Sequence, residues 1–156
     1  MIIFIYFYFI TFSIIGYGII TSKFLKIRQN CFGVYGILGF TFLAFISYLS
    51  SIFVSHNLVF NSIILFFDLL FFFYYSKSVE NFKKHFLLLN CICLISLFFI
   101  MVSKNHDDFP YYHFPYISLL TEYSHPIGLG LINNGFRSPS SIFFVSSMFY
   151  LPKSEI

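Results

Sequence analysis

Two neighbouring carboxylates, Asp107 and Asp108, follow His106 in the longest polar stretch of the chain, Lys104 to Pro139. Adjacent carboxylates can bind a divalent metal through oxygen, and one of them can act as a general base. A structural role is the alternative, since Asp108 stands just before Phe109-Pro110, where it would cap a helix. The pair is the first candidate for catalysis.

Aromatic residues and a histidine come next in the same stretch. Tyr112 and His113 lie in the run Tyr-Tyr-His-Phe-Pro, which starts at Tyr111. They fit a platform that stacks on a sugar or a prenyl chain, with His113 as the catalytic proton donor and Tyr112 in substrate binding. The alternative, the aromatic belt at a membrane surface, is the commoner role of such residues. Arg137, with its planar fork, either clamps a substrate phosphate or pairs with lipid head groups.

Asp68 is the one acid inside a long apolar segment. A carboxylate at that depth costs about 2.5–3.5 kcal/mol on insertion scales, so it marks a functional site by default. The alternative is an acid that faces hydroxyls across a helix interface, such as those of Ser47, Tyr48 or Ser51. The sequence supports the two interpretations equally.

The composition requires a membrane around these residues. The chain has 156 residues, of which 58% are hydrophobic and only 10% are charged, whereas soluble domains carry charge on about a quarter of their positions. The net charge is +3 and the cations are scattered, which argues against nucleic acid as a partner. The sequence predicts an all-α polytopic bundle whose partner is the lipid bilayer.

Four apolar runs are each long enough to cross a bilayer core of about 30 Å. They are Ile2 to Ser22, Gly33 to Val54, Leu58 to Tyr75 and Phe86 to Val102. We therefore expect four transmembrane helices over residues 1–102, an extracytoplasmic loop over 103–139 and a partial fifth membrane helix over 140–156.

Basic residues predict the orientation. Six of them fall in the two connections that follow the first and third spans, and only Lys104 and Arg137 fall in the long loop. By the positive-inside rule the first group is cytoplasmic, which places the N-terminus and the loop outside a bacterial inner membrane.

The loop is expected to hold a short helix from Pro115 to Tyr123, ended by His125-Pro126 and Gly128-Leu129-Gly130, and an Asn133-Asn134-Gly135 turn. Ser138 and Pro139 would start the last helix, Ser140 to Leu151, as cap and first residue. That helix is short for a bilayer, so either it inserts halfway or the chain is the front part of a longer protein. We expect the second.

Small residues and cysteines favour packing over chemistry. Gly33, Gly36 and Gly39 recur every three residues in the second span, which is typical of close helix contacts. Cys91 and Cys93 point to opposite sides of a helix and cannot share a metal. The sequence assigns no metal site and no cofactor.

The order Asp-Asp, Tyr-His-Phe-Pro, Gly-Leu-Gly, Asn, Arg and Ser-Ser between Asp107 and Pro152 resembles a segment of large, poorly characterised bacterial inner-membrane proteins. Those proteins are similar to glycosyltransferases of the GT-C class, which use polyprenyl-phosphate sugars and carry an essential acid in an early external loop. Two departures are visible: Leu131 stands where the segment has Asn, and Phe136-Arg137 reverses its Arg-Phe order.

The resemblance implies that Asp107 or Asp108 is the essential acid, with His113 and Arg137 in the donor pocket. It implies a glycosyltransferase-like protein of cell-envelope glycan assembly that takes its sugar from a polyprenyl phosphate. A non-enzymatic helix bundle, either a transporter fragment or an accessory subunit, is the alternative, in which Asp68 matters and the loop is structural.

Overall fold

The computed structural model describes residues 2–27, 31–103, 107–124, 127–132, 134–137 and 140–151, and these residues form helices and turns without a strand. The predicted all-α class is confirmed. Four helices are long and apolar enough to cross a membrane: α1 (Ile2–Phe24), α2 (Phe32–Phe53), α3 (Leu58–Tyr75) and α4 (Phe82–Val102). The chain is therefore a membrane protein with four candidate spans.

The second half of the chain forms shorter helices. A π-helical turn, Phe109–His113, runs into α5 (Phe114–Glu122), and α6 (Leu129–Ile132) precedes a 3₁₀ turn at Asn134–Phe136. The last helix is α7 (Ser141–Phe149).

The predicted spans agree with the helices except at the start of α4. That helix begins at Phe82 instead of Phe86, so Lys83, Lys84 and His85 lie in its first turns and not in the preceding connection. Long basic side chains can run their apolar stems along a helix and keep the charge in water, which makes such a start compatible with a membrane surface.

The loop predictions were partly right. The helix expected from Pro115 to Tyr123 is confirmed as α5, which ends at Glu122. Leu129 and Gly130, which were expected to lie in the break after it, instead lie in α6, and they follow Gly128, whose φ is +87°. α7 is capped by Ser140, whose hydroxyl accepts a hydrogen bond from the Ile142 amide. The predicted cap Ser138, its neighbour Pro139 and the His125-Pro126 break lie outside the described residues.

Residues divide into two compact units: residues 1–43 with 65–104, and residues 44–64 with 105–156. In the first unit, a core of Ile15, Ile19, Phe32, Tyr35, Phe72 and Val79 is buried. Phe12 stacks on Phe72 with ring centroids 4.7 Å apart. Because lipid is as apolar as these side chains, van der Waals packing and not the hydrophobic effect must hold such helices together.

Glycines set the closest helix contacts of the first unit. A Cβ on Gly16 would overlap the carbonyl oxygen of Asp68, and one on Gly18 would overlap that of Tyr35. A Cβ on Gly39 would likewise overlap the backbone of α1, whereas one on Gly36 would meet nothing within 4 Å. The packing role is confirmed for Gly39 and absent at Gly36.

One end of the first unit carries its lysines. The Lys23 ammonium at the end of α1 lies 3.7 Å from the centre of the Tyr75 ring at the end of α3. At the starts of α2 and α4, the Phe32 and Phe82 rings are 5.9 Å apart. The four helices therefore alternate in direction. The described lysines counted for the orientation stand at this end, in the connections or in the adjoining helix ends: Lys23, Lys26, Lys77, Lys83 and Lys84.

The second unit is centred on α5 and α7. Its buried core consists of Tyr116, Ile117, Leu120, Phe136, Phe143 and Phe144. The α5 members recur at helical spacing, which turns one face of that nine-residue helix towards α7. α7 is thus a packed helix of the second unit.

Candidate functional site

The π-helical turn positions the two aromatic candidates. Pro115 lacks an N–H and cannot continue the α-helical ladder, and the Phe114 amide instead donates to the Phe109 carbonyl, five residues back. π-Turns recur at functional sites because they re-aim side chains within a helix. Here the turn places Tyr112 and His113 edge to face, with ring centroids 4.2 Å apart.

His113 is held among aromatic rings. Its centroid lies 5.0 Å from that of Phe143 on α7 and 6.3 Å from that of Phe109. The imidazole is half-buried, so it is both fixed in place and reachable from outside. These are the properties that a proton donor or acceptor needs.

An open cleft of about 600 Å³ lies in front of these rings. Its lining combines the two aromatic residues with an amide, a hydroxyl and apolar surface: Tyr112, His113, Asn134, Gly135, Ser140, Ile142 and Phe143. The cleft can therefore offer hydrogen-bond donors, acceptors and ring faces, and no carboxylate is among its described lining residues.

The acids Asp107 and Asp108 stand directly before the π-turn, and both side chains are exposed. The Asp108 carbonyl accepts hydrogen bonds from the Tyr111 and Tyr112 amides, each 3.2 Å long. Its carboxylate forms no cap to the turn that it precedes. The alternative of a side-chain cap therefore finds no support at this turn, and the catalytic role of the acids stays a prediction. His106 lies outside the described residues.

Arg137 lies beside the cleft and outside its lining. Its backbone amide donates to the carbonyl of Asn134, a cleft residue, over 3.2 Å. Its side chain runs back along Gly130 and donates from Nε to the Gly130 carbonyl over 3.4 Å. The structure thus joins Tyr112 and His113 in one cleft, and leaves Asp107, Asp108 and Arg137 outside its lining.

Asp68 is fully buried within α3. Neither carboxyl oxygen has a hydrogen-bond partner among the described residues, although the Tyr17 phenol of α1 is the ionisable group that interacts with it. The hydroxyls of Ser47 and Ser51 donate to carbonyls of their own helix instead. Ser47 and Ser51 were therefore the wrong examples of a hydroxyl that faces Asp68, whereas the phenol of Tyr17 is a hydroxyl on a neighbouring helix.

A model of a protein family described as Domain of unknown function (DUF8201) matches residues 1–154. The chain belongs to this family. No curated protein and no solved structure matches the chain. The match extends over the four long helices and the loop, so every predicted site residue of this DUF8201 member lies inside the family's domain.

Sequence reasoning missed a buried polar network in the second unit. Its centre is His56, in the turn between α2 and α3, whose Nδ1 lies 2.6 Å from the Ser147 hydroxyl and whose Nε2 lies 2.9 Å from the Ser50 hydroxyl. The His56 amide also donates to the Leu120 carbonyl over 2.9 Å. The network joins α2, α5 and α7 to one turn.

Asn61 completes the network of this DUF8201 member. Its amide nitrogen donates to the carbonyls of His56, Ser147 and Tyr150 over 2.8, 2.8 and 2.7 Å. The sequence indicates this network only through an Asn inside an apolar span, because a polar side chain in lipid must find its hydrogen-bond partners within the protein.

Both hydroxyls that bond to the His56 ring can also donate to a carbonyl of their own helix. The Ser147 hydroxyl donates to the Phe144 carbonyl over 2.7 Å, and the Ser50 hydroxyl donates to the Ser47 carbonyl over 3.2 Å. A neutral imidazole donates from one ring nitrogen and accepts at the other, so it can bond to both hydroxyls when one of them turns its proton to the ring. Burial lowers the pKa of His56 to about 4, and the neutral form is the one that this network holds.

Proposed function

We propose that this chain is a membrane glycosyltransferase-like protein of cell-envelope glycan assembly that handles a sugar carried on a polyprenyl phosphate. The cleft in front of Tyr112 and His113 carries the proposal. A sugar presents hydroxyls that both donate and accept hydrogen bonds, together with C–H faces that pack on aromatic rings, and the cleft lining offers partners for each.

The proposed roles follow from the position of each group. His113 donates a proton to the departing polyprenyl phosphate as the bond between sugar and phosphate breaks, and Tyr112 packs on the sugar. Asp107 or Asp108 accepts the proton of an acceptor hydroxyl or holds a divalent metal on the phosphate, and Arg137 binds that phosphate. Because the acids and the guanidinium lie outside the lining of the cleft, this proposal requires that their exposed side chains turn towards bound substrate.

The proposal also specifies the membrane and the orientation of the chain in it. The protein lies in the inner membrane of a bacterium with its N-terminus and loop outside, and the lysine end of the first unit faces the cytoplasm. The support is the positive-inside rule applied to Lys23, Lys26, Lys77, Lys83 and Lys84.

The test of substrate binding uses a diazirine-bearing polyprenyl-phosphate hexose with the full chain in liposomes. Photolabelling is expected on the peptides that contain Tyr112 and Asn134, and excess sugar-bearing lipid should compete while sugar-free polyprenyl phosphate competes less. His113→Gln and Tyr112→Ala should weaken labelling. Tyr111→Ala is the matched control, because Tyr111 is exposed and does not line the cleft. Labelling that no lipid competes, or that Tyr111→Ala reduces equally, refutes the proposal.

The roles of the acids need a turnover assay in membranes that support transfer. A general base contributes about 10²–10⁴ in rate, so one of Asp107→Asn and Asp108→Asn should lower transfer at least a hundredfold at unchanged protein level. If both variants keep near-normal transfer, the acids are structural.

A second candidate is a non-enzymatic helix bundle, either part of a transporter or an accessory subunit. It is favoured by Asp68, a fully buried acid inside a candidate membrane helix. Photolabelling of the cleft would favour the transferase, whereas ion or solute flux through liposomes that depends on Asp68 would favour the bundle.

A further inference from the structure

Ile127 and Leu131 are the most exposed large apolar side chains in the described part of the protein. Their exposed fractions are 93% and 91%. They bracket a tight bend, residues 127–131, which we name the aliphatic turn. A pair of aliphatic side chains held out in this way is unfavourable in water, because each exposes its full apolar surface.

The aliphatic turn has a defined shape. Gly128 adopts a φ of +87°, and a Cβ there would meet nothing within 4 Å, so the bend projects into open space. The Leu131 amide donates to the Gly128 carbonyl over 3.0 Å. Gly130 lies so close to Arg137 that a Cβ on it would stand 2.8 Å from the arginine Cγ. The turn therefore rests on the stem of Arg137.

The charge around the turn is positive. The sequence has no acid between Glu122 and Glu155, while Arg137 is exposed at the base of the turn. The aliphatic side chains stand at the tip of the turn and the arginine at its base. This order matches a lipid surface, where the acyl chains lie deeper than the anionic phosphates. The chain is also anchored by its own candidate spans, which keeps a bilayer at high local concentration.

We propose that the aliphatic turn is a bilayer-binding element. Ile127 and Leu131 insert into the interfacial region of the lipid, and Arg137 pairs with head-group phosphate. The partner is bulk bilayer lipid and not the sugar donor, and the proposal does not depend on the transferase function.

The chain contains no tryptophan, so one introduced indole reports on a single position. Leu131→Trp and Ile127→Trp are placed in vesicles of phosphatidylcholine and phosphatidylglycerol that contain brominated lipids but no polyprenyl lipid. Phe67→Trp, exposed on the candidate span α3, is the lipid control, and Glu122→Trp, exposed at the end of α5, is the water control.

The two turn variants are expected to show blue-shifted emission and several-fold stronger quenching than Glu122→Trp, approaching that of Phe67→Trp. Adding Arg137→Gln to Leu131→Trp should reduce quenching in anionic vesicles and leave it unchanged in neutral ones. Emission and quenching equal to those of Glu122→Trp at both positions would overturn the proposal. Equal quenching with and without Arg137 in anionic vesicles would overturn its head-group part.

Discussion

Acidification should loosen the second unit through His56. The imidazole is fully buried, and burial lowers its pKa from the ordinary 6.5 to about 4. In the unfolded chain the group regains its ordinary pKa, so between these two values the unfolded state binds more protons than the folded state. Stability is therefore lost as the pH falls from 6.5 to 4, and this contribution changes no further below 4.

The size of the effect follows from the same two values. Each pKa unit corresponds to about 1.4 kcal/mol, so the full loss is about 3 kcal/mol, or roughly two orders of magnitude in the opening equilibrium. Within the second unit, the described elements around His56 carry the phenols of Tyr48, Tyr116 and Tyr150 and the exposed carboxylate of Glu122. The buried carboxyl on α3, Asp68, belongs to the first unit. These groups of the second unit therefore include no buried carboxylate that could compensate an imidazolium.

Hydrogen exchange in nanodiscs measures the prediction. Amides at residues 53–62 and 141–150 should lose protection as the pH is lowered to 4, after correction for intrinsic exchange rates. His56→Gln keeps one donor and one acceptor but cannot titrate, so it should show lower protection at neutral pH and a flatter profile. His85→Gln, on α4 in the other unit, is the matched control and should keep the wild-type slope. A wild-type profile as flat as that of His56→Gln would refute the assignment of this buried imidazole.

Three further predictions concern the spans. Asp68→Asn should leave insertion and thermal stability in detergent nearly unchanged, because the amide keeps polar contacts and removes the charge; a loss of folded protein would show that the carboxyl is structurally required. Gly39→Ala should destabilise by about 1–3 kcal/mol, as overpacked cores do, while Gly36→Ala should be neutral or slightly stabilising, since it meets open space and favours the helix; equal midpoints on thermal unfolding would contradict the packing role. With the native cysteines replaced, Tyr111→Cys in intact cells should react with an impermeant maleimide and Lys26→Cys should not, and the reverse pattern would invert the proposed orientation.

The long helices could be predicted from the sequence because a single requirement governs the backbone of a chain in lipid. Every backbone polar group must be satisfied inside the segment, so an apolar run of sufficient length is a helix whatever its neighbours are. Leu58–Tyr75 was predicted to the residue. The start of α4 was placed too late because Lys83 and Lys84 were treated as a stop, although such side chains are compatible with the first turns of a membrane helix.

The short helices depend on contacts that local sequence does not contain. The π-turn at Phe109–His113 precedes Pro115, which lacks an N–H, and His113 within it packs on Phe143, thirty residues later. His56 and Ser147 are 91 positions apart, and no periodicity relates them. Tyr112 and His113 were singled out together because they are adjacent in the chain, and both line one cleft in the structure. Their roles in binding and catalysis stay predictions.

The histidine–serine pair of the buried network resembles a nucleophilic dyad in distance but not in chemistry. A catalytic serine must give its proton to the imidazole. The Ser147 hydroxyl has a second acceptor, the Phe144 carbonyl, to which it donates over 2.7 Å, and this bond competes with proton transfer to His56. Both residues are also fully buried, so no acyl or glycosyl group could reach them.

The contrast between the two histidines decides where chemistry should be sought. His56 has each ring nitrogen committed to a hydroxyl and is sealed from solvent. His113 is fixed by ring packing at the edge of an open cleft. Replacing His56 should therefore change stability and its pH dependence, whereas replacing His113 should change ligand binding with little effect on stability. If His113→Gln unfolds the second unit as readily as His56→Gln, the cleft is held by the imidazole and the distinction fails.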